Sequence, residues 1–239
     1  MAPTWLIDRI NGPVPAYLAA PAGQPQTVRH LLRAVRRRID QAIAAGQPWQ
    51  AGFDELRDVV WQVWPQLDDA QKRRFIRQLR VWYDVARFRM PPQTADILEP
   101  AIARGQLRFV AQSLQRIEVL DEQRLRLHVS RRGEALHEDV AGFINCTGLD
   151  MGGPIDPRSL PGRLLEQGVL VRDGSGFGYR VDARCRPIGQ ADRTPDRLRL
   201  IGPITAGVFG DTLGAMFIAV QVHRLLPDLF ETLQAPSPP

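Results

Sequence analysis

The chain has 239 residues, of which 44% are hydrophobic, and its 31 Lys and Arg against 26 Asp and Glu give a formal net charge of +5. This composition predicts a folded chain of one large or two small domains. Cys146 and Cys185 are too few for a disulfide framework, and the sequence has neither a secretory leader pattern nor a run as long as a membrane span. We therefore expect a cytoplasmic protein with no membrane partner.

Nearly all of the positive charge is arginine, and the densest run, residues 33–38, lies between apolar positions at helical spacing. This spacing predicts a solvated helix face. Because no recognition motif or interleaved aromatic residues accompany the run, nucleic acid is not an expected partner. Nucleic-acid binding through this helix stays a hypothesis, and it would require an affinity that falls steeply with salt. An anionic cofactor would use a few arginines equally well.

The first part of the chain predicts an irregular lead-in over residues 1–26, rich in Pro, Ala and Gly, and then a helical region over residues 27–105. Apolar stripes at helical spacing predict four helices, in order over residues 27–45, 54–67, 68–83 and 94–104. A capping-box spacing from Asp68 to Gln71 opens the third, and Pro100 should kink the fourth. Trp61, Trp64, Trp82 and Tyr83 lie on these helices. Core packing is the favoured interpretation of these rings, and a stacking platform for a flavin or a base is the alternative.

Residues 106–232 change from helical to strand-like composition. Alternating or apolar runs predict an antiparallel meander, with strands over residues 107–111, 117–120, 125–129 and 140–146. The last strand is the most apolar, so we expect it to be the most buried and Cys146 to be a buried free thiol. The turns should fall at residues 121–123 and 132–134. The four histidines, at positions 30, 128, 137 and 223, lack metal-ligand spacing, so structural or solvated roles and no metal are expected.

The remainder of this region is loop-rich after Gly148. We expect a short helix near residues 160–167, a Gly-rich hairpin or surface loop at 173–178, a last strand at 198–201 and a long helix at 215–226. The Gly-rich loop lacks the strand-to-helix context and the Lys-Ser/Thr ending of a phosphate loop. A proline-rich tail at residues 233–239 is expected to be disordered.

Two apolar runs that stop on glycine turns organise the rest of the chain, Phe143 to Gly148 and Leu200 to Gly207. A buried strand that ends in a glycine turn at a helix start is where α/β folds bind anionic or nucleotide ligands. The predicted fold class is therefore α/β with α+β character. Its N-terminal half is helical, and its C-terminal half holds a β-meander and a partial dinucleotide-binding-type sheet.

Several runs, taken together, resemble the C-terminal part of FAD/NAD(P)-binding proteins related to the uncharacterised bacterial YdhS group, a branch of the flavin monooxygenase-like and pyridine-nucleotide reductase-like proteins. The runs are residues 27–36, Trp49 with 54–57, 73–84, 144–148 and 200–207. They keep the family's order between residues 27 and 222. The family begins with a glycine-rich FAD fingerprint and later has a second glycine motif for the nicotinamide nucleotide, and neither occurs in this sequence.

The resemblance implies that two glycine turns lie beside a flavin in a flavoprotein of two dinucleotide folds. The implied cofactor-binding residues are Thr147, Gly148, Gly202, Pro203, Thr205, Gly207, Asp211 and Thr212. Glycine lets backbone approach a flat ring closely, and a helix amino end favours the negative charge of phosphate or reduced flavin. Asp211 would serve as a helix cap or contact a ribose hydroxyl.

A second difference from the family lies at the end of the third predicted helix. The family has His-Arg-His-Arg where this chain has Ala86-Arg87-Phe88-Arg89. An acid or base role of those histidines would be absent here, and no catalytic residue is assigned. Arg87 and Arg89 would hold phosphate or carboxylate, or would only complement the helix end.

The function implied by the resemblance is a fragment or split subunit of an FAD/NAD(P)H-dependent oxidoreductase that contributes the flavin-side wall of the cofactor site. In such enzymes the flavin carries the chemistry and the protein positions it. The partner would be a separate chain with the dinucleotide-binding half, or a second copy. The alternative is a non-catalytic remnant that acts as a protein-interaction module through an exposed apolar face.

Overall fold

The structure is a computed structural model, and it describes residues 12–148, 153, 155–210 and 212–234. It has the predicted mixed α/β fold class, with a helical N-terminal half and strands that follow. The chain divides into two compact units, the first made of Met1–Phe88 with Asp150–Pro239 and the second of Arg89–Leu149. Among the described residues, no helix is long and apolar enough to cross a membrane.

The described residues contain eight α-helices and three strands. The helices are α1 (Val28–Ala44), α2 (Ala51–Val63), α3 (Asp69–Gln78), α4 (Arg80–Arg87), α5 (Pro92–Ala103), α6 (Leu160–Glu166), α7 (Ala206–Phe209) and α8 (Ala215–Gln234). The strands are β1 (Ser113–Asp121), β2 (Arg124–Arg131) and β3 (Glu134–Val140). Short 3₁₀ turns lie at Ala16–Leu18, Trp64–Gln66, Gln190–Asp192 and Pro203–Thr205. Of the irregular lead-in predicted over residues 1–26, residues 1–11 lie outside the described part.

The starts of α1 and α3 are fixed by their N-cap side chains, as the sequence predicts. Thr27 accepts a hydrogen bond from the backbone N–H of His30 at 3.1 Å, and Asp68 accepts one from that of Gln71 at 2.8 Å. Each bond satisfies one of the amide groups that a helix start leaves without an intrahelical partner. The first helix ends at Ala44, and Gly46 follows its C-cap with a φ of 71°, a conformation that suits glycine.

The third predicted helix is two helices, because the chain leaves helical geometry at Leu79 (φ −123°, ψ −19°). Leu79 still packs on the buried cluster of Val28, Trp64 and Leu67. The break restarts the helical periodicity, so Trp82 is 73% exposed and is not the core residue that the favoured interpretation expects. Trp61 and Trp64 are buried, as predicted.

The last helix continues eight residues beyond the predicted end at Leu226, through Pro227 to Gln234. Tertiary contacts hold the residues after the proline in place. The Asp228 carboxylate accepts from Arg184 at 2.8 Å and from Arg199 Nε at 3.1 Å. The predicted tail therefore starts inside α8, and residues 235–239 lie outside the described part.

The second unit contains α5 and an antiparallel meander in the order β1-β2-β3. Both predicted turns are confirmed by the pairs Asp121 with Arg124 and Arg131 with Glu134. The strand prediction for residues 140–146 is wrong, since β3 ends at Val140 and Cys146 is exposed. Residues 134–140 are mostly polar or charged and none is fully buried, yet they pair with β2 over their whole length. Residues 107–111 are also not a strand.

The first unit has its core between α1, α2 and α8, with a smaller cluster of Leu170, Tyr179, Val181 and Leu200. Residues 198–201, predicted as a strand, make no strand pairing, although Leu200 donates its N–H to the Cys185 carbonyl at 2.8 Å. Within the described residues, no two strands pair in parallel. The Gly-rich residues 173–178 form a hairpin-like turn closed by the antiparallel bridge of Arg172 with Tyr179, but the turn is largely buried and is not a surface loop.

Candidate functional site

Residues 202–210 form one wall of the first unit, and Thr212 follows beyond Asp211, which lies outside the described residues. Gly202 has a φ of 79°, which strains any residue with a side chain, and it opens the 3₁₀ turn Pro203–Thr205 that runs directly into α7. Thr205, Ala206 and Gly207 are buried. The predicted glycine turn therefore exists, and it follows an extended segment that is not paired as a strand.

Gln221 on α8 makes hydrogen bonds to this turn. Its Oε1 accepts the Gly202 N–H at 2.7 Å, and its Nε2 donates to Thr205 Oγ1 at 3.0 Å and to the Cys185 sulfur at 3.3 Å. Thr205 Oγ1 in turn donates to the Gly202 carbonyl at 2.8 Å. The buried amide of a single glutamine thus satisfies the polar groups of the turn and fixes its conformation.

The carbonyl of Gly207 is the second anchor of this wall. Lys72 Nζ and Trp64 Nε1 both donate to it at 2.9 Å. Lys72 is the single lysine of the sequence, and only 9% of its surface is exposed. Burial lowers the pKa of its ammonium group, while the nearby Asp173 and Asp69 carboxylates oppose that effect.

Asp173, in the Gly-rich turn of residues 173–178, packs against Gly207. Its carboxylate accepts from Ser175 Oγ at 2.6 Å and from the Phe177 N–H at 2.8 Å. A Cβ on Gly207 would lie 2.2 Å from Asp173 Oδ2, and a Cβ on Gly178 would lie 2.4 Å from the Ile204 carbonyl oxygen. The two glycine-containing segments are therefore packed closely, with Gly207 against the Asp173 side chain and Gly178 against the Ile204 backbone, which leaves no room for a Cβ at either position. Lys72 and Asp173 were not predicted as site residues, although a sole lysine in an arginine-rich chain was a usable signal.

The other predicted turn, at Thr147 and Gly148, belongs to the second unit. Asn145 Oδ1 accepts from the Thr147 N–H at 3.0 Å and from its hydroxyl at 2.7 Å. Gly148 has a φ of 81°, and its α-carbon faces open space. The turn is real, and its residues are exposed.

The remaining predicted residues are Asp211 and Thr212. Asp211 lies outside the described residues. Thr212 is fully buried, and its Oγ1 has no hydrogen-bond partner among the described residues. Of the eight predicted residues, Gly202, Pro203, Thr205 and Gly207 thus lie together in the described stretch 155–210, and Thr212 begins the next one.

A cavity of about 370 Å³ lies in the first unit beside this wall. Residues of α1, α2, α3 and α4 line it, together with Phe177, Gly210 and Leu213. Trp64 and Phe75 lie in its wall in an edge-to-face contact, with ring centroids 5.4 Å apart. A concave, mainly apolar site of this size is typical of small-molecule binding.

Charged side chains at the cavity come from two helices. Arg36 comes from α1, and Arg80, Asp84 and Arg87 come from α4. Arg80 Nε lies 3.3 Å from Asp84 Oδ2, and the Arg80 guanidinium stacks on Phe177 at 4.4 Å from the ring centroid. Arg87 lies over Phe88 at 4.0 Å. Arg87 therefore lines the cavity and also lies at the end of α4.

Comparison with known proteins gives no match: no family model, no curated protein and no solved structure resembles the chain closely enough to count. The candidate site thus depends on its own geometry. Among the described residues, no group of three His, Cys, Asp or Glu side chains is placed to hold a metal ion.

Proposed function

We propose that the chain is part of an FAD/NAD(P)H-dependent oxidoreductase and contributes the flavin-side wall of the cofactor site. The observation that carries this proposal is that Gly210, which ends α7 after the glycine turn, and Leu213 line the cavity, although Gly202, Pro203, Thr205, Gly207 and Thr212 do not. Gly210 and Leu213 border an apolar and aromatic space of about 370 Å³. A flat, largely apolar ring is the kind of ligand that such walls accept.

The second support is the rigidity of the wall. Gln221, Lys72 and Trp64 occupy the polar backbone groups of Gly202 and Gly207, so the turn keeps its shape with nothing bound. A cofactor site needs backbone that is held in place before the ligand arrives. Thr147 and Gly148 belong to the proposal through the family resemblance alone. The adenosine half of the cofactor would bind to a second chain that carries the dinucleotide-binding half.

The test is a titration of the purified chain with FAD, followed by the flavin absorbance near roughly 450 nm and by quenching of flavin fluorescence. The Leu213→Glu variant places a carboxylate in the wall and should weaken binding. Met216→Glu is the matched control, because Met216 is 42% exposed on α8 and does not line the cavity. A chain that binds no FAD, or that binds it equally in both variants, contradicts the proposal.

A second candidate function, a protein-interaction module without catalysis, is favoured by exposed apolar residues of α4, of which Trp82 also lines the cavity. Val81, Trp82 and Val85 are 72%, 73% and 71% exposed on this helix. Exposed apolar residues grouped in this way mark protein contact surfaces. In the second unit, Val129 is the only buried residue of the described part, and Phe109 and Val119 are 77% and 73% exposed. Light scattering after size-exclusion chromatography tests this function: it predicts a dimer or larger species that Trp82→Glu dissociates.

A further inference from the structure

The cavity of the first unit has a feature that a flavin wall does not require, which is a cationic mouth over a hydrocarbon interior. Its interior surface is formed by Val, Leu and Ile from α1 to α3 together with aromatic rings. A volume of about 370 Å³ lies within the usual range for a small ligand. The interior therefore accepts an apolar body and gives few hydrogen bonds.

The charge at the mouth is positive. Arg80, Asp84 and Arg87 are at spacings of four and three residues on α4, so they share one face of the helix. Asp84 is neutralised by its ion pair with Arg80. Arg36 then leaves an excess of cationic charge among the residues that line the cavity.

Arg36 is the side chain best placed to meet a ligand anion. It is exposed, yet its side chain lines the cavity, so the aliphatic stem covers apolar wall and the guanidinium lies toward water. Its guanidinium makes no ion pair or hydrogen bond with the described residues. A guanidinium in this position binds a carboxylate through two parallel N–H donors.

We propose that this cavity binds a single-chain fatty carboxylate of about a dozen carbons, with the hydrocarbon inside and the carboxylate at Arg36. Burial of the chain supplies most of the affinity, because each methylene removed from water contributes about 0.8 kcal/mol. Arg36 selects the anion over a neutral chain of the same length. The fatty carboxylate and a flavin ring would occupy the same cavity, so this binding site does not depend on the proposed function and competes with it.

The test is isothermal titration of the full chain with dodecanoate at neutral pH, below its micelle concentration, against 1-dodecanol as the neutral probe. Arg36→Gln should weaken dodecanoate binding by about five- to tenfold and leave dodecanol unchanged. Arg37→Gln is the matched control, since Arg37 is the exposed neighbour on α1 and does not line the cavity. It should bind as the wild type does.

A second variant places the ligand inside the cavity. Leu32→Glu puts a carboxylate in the wall of α1 and should abolish binding of both probes, with circular dichroism confirming that the variant is folded. Absence of wild-type binding, equal affinity of Arg36→Gln and wild type, or binding retained by a folded Leu32→Glu overturns the proposal. FAD titrated into the same samples separates the two ideas. Binding of dodecanoate without FAD supports the fatty-carboxylate site and contradicts the flavin proposal. Binding of FAD without dodecanoate supports the flavin proposal and contradicts the fatty-carboxylate site.

Discussion

Lys72 and Gly207 are joined across 135 positions of the sequence by a hydrogen bond of 2.9 Å from the lysine Nζ to the glycine carbonyl. The bond links α3 to Gly207, one of the residues that are predicted from the sequence to lie beside a cofactor. Because Trp64 donates to the same carbonyl, both lone pairs of that oxygen are used. The structure of the candidate wall thus depends on a residue far from it in sequence.

Substitution of Lys72 should loosen this wall. Lys72→Met removes one bond to the Gly207 carbonyl and the cation beside the Asp173 carboxylate, so we expect a loss of about 1–3 kcal/mol in unfolding free energy. Urea denaturation followed by tryptophan fluorescence measures it. Arg77→Met, on the exposed face of the same helix, should change stability by less than about 0.5 kcal/mol. An equal decrease of the unfolding free energy in the two variants would show that the buried hydrogen bond of Lys72 does not stabilise the fold.

The same lysine should give a pH signature. Burial lowers the pKa of Lys72 in the folded state, so the unfolded chain binds more protons than the folded chain between that lowered pKa and about pH 10.4. The wild-type unfolding free energy should therefore rise with pH in this window relative to Lys72→Met. Urea midpoints of both proteins at pH 7 and pH 9.5, roughly the ends of the accessible window, measure it. A parallel pH dependence of the two proteins would refute this assignment.

Gly207→Ala should be strongly destabilising. The new Cβ would lie 2.2 Å from Asp173 Oδ2, and the carboxylate cannot move without losing its bonds to Ser175 and Phe177. Overpacking of this kind costs about 1–3 kcal/mol. Thermal unfolding measures it, and Gly142→Ala is the control because its Cβ would meet open space. Unchanged melting of Gly207→Ala would mean that the two glycine segments are not in contact.

The cluster of Tyr17, Arg38 and Glu55 should make the fold sensitive to acid. Hydrogen bonds from Arg38 and, less strongly, from Tyr17 lower the pKa of Glu55. The carboxylate therefore stabilises the fold above about pH 4.3, and this contribution is lost as the pH falls through the lowered pKa. Glu55→Gln should reduce stability by about 1 kcal/mol or less at neutral pH and flatten its decline in acid, measured by urea midpoints at several pH values. Glu231→Gln, exposed on α8, should keep the wild-type decline.

The two cysteines should differ in reactivity. Cys146 is exposed, whereas Cys185 is buried, and burial raises the pKa of its thiol to about 11. At mildly alkaline pH, Ellman's reagent should modify one thiol per chain in the folded protein and two in denaturant. Cys146→Ser should remove the fast reaction. A fast reaction that survives in Cys146→Ser would place Cys185 within reach of solvent.

The helices were predictable because local signals set them. Apolar spacing, the caps at Thr27 and Asp68 and the stop at Gly46 operate within a few residues, and each is confirmed. The helix break at Leu79 was not predictable, because this residue leaves helical geometry while its side chain still packs in the core. Pro227 is the opposite case, because the distant arginines 184 and 199 hold a helix that the local sequence would end.

The strands were harder to place for the same reason. Apolar composition alone predicted a buried strand at residues 140–146, yet pairing with β2 selected the polar Glu134–Val140. In the candidate site, the glycine turn at Gly202 was predictable from its residues. The partners of Gly202 and Gly207, which are Gln221, Lys72 and Asp173, come from three separate parts of the chain, and no spacing in the sequence connects them.

The burial of the single lysine also affects how the folded protein can be coupled chemically to a solid support through its amines. Thirty of the 31 basic side chains are arginines, which do not react with the esters used to couple amines to a solid support. Lys72 is hidden against Gly207 in the folded chain, so the α-amino group is the remaining amine. A folded sample coupled through amines should therefore be held at one point and present its molecules in a uniform orientation.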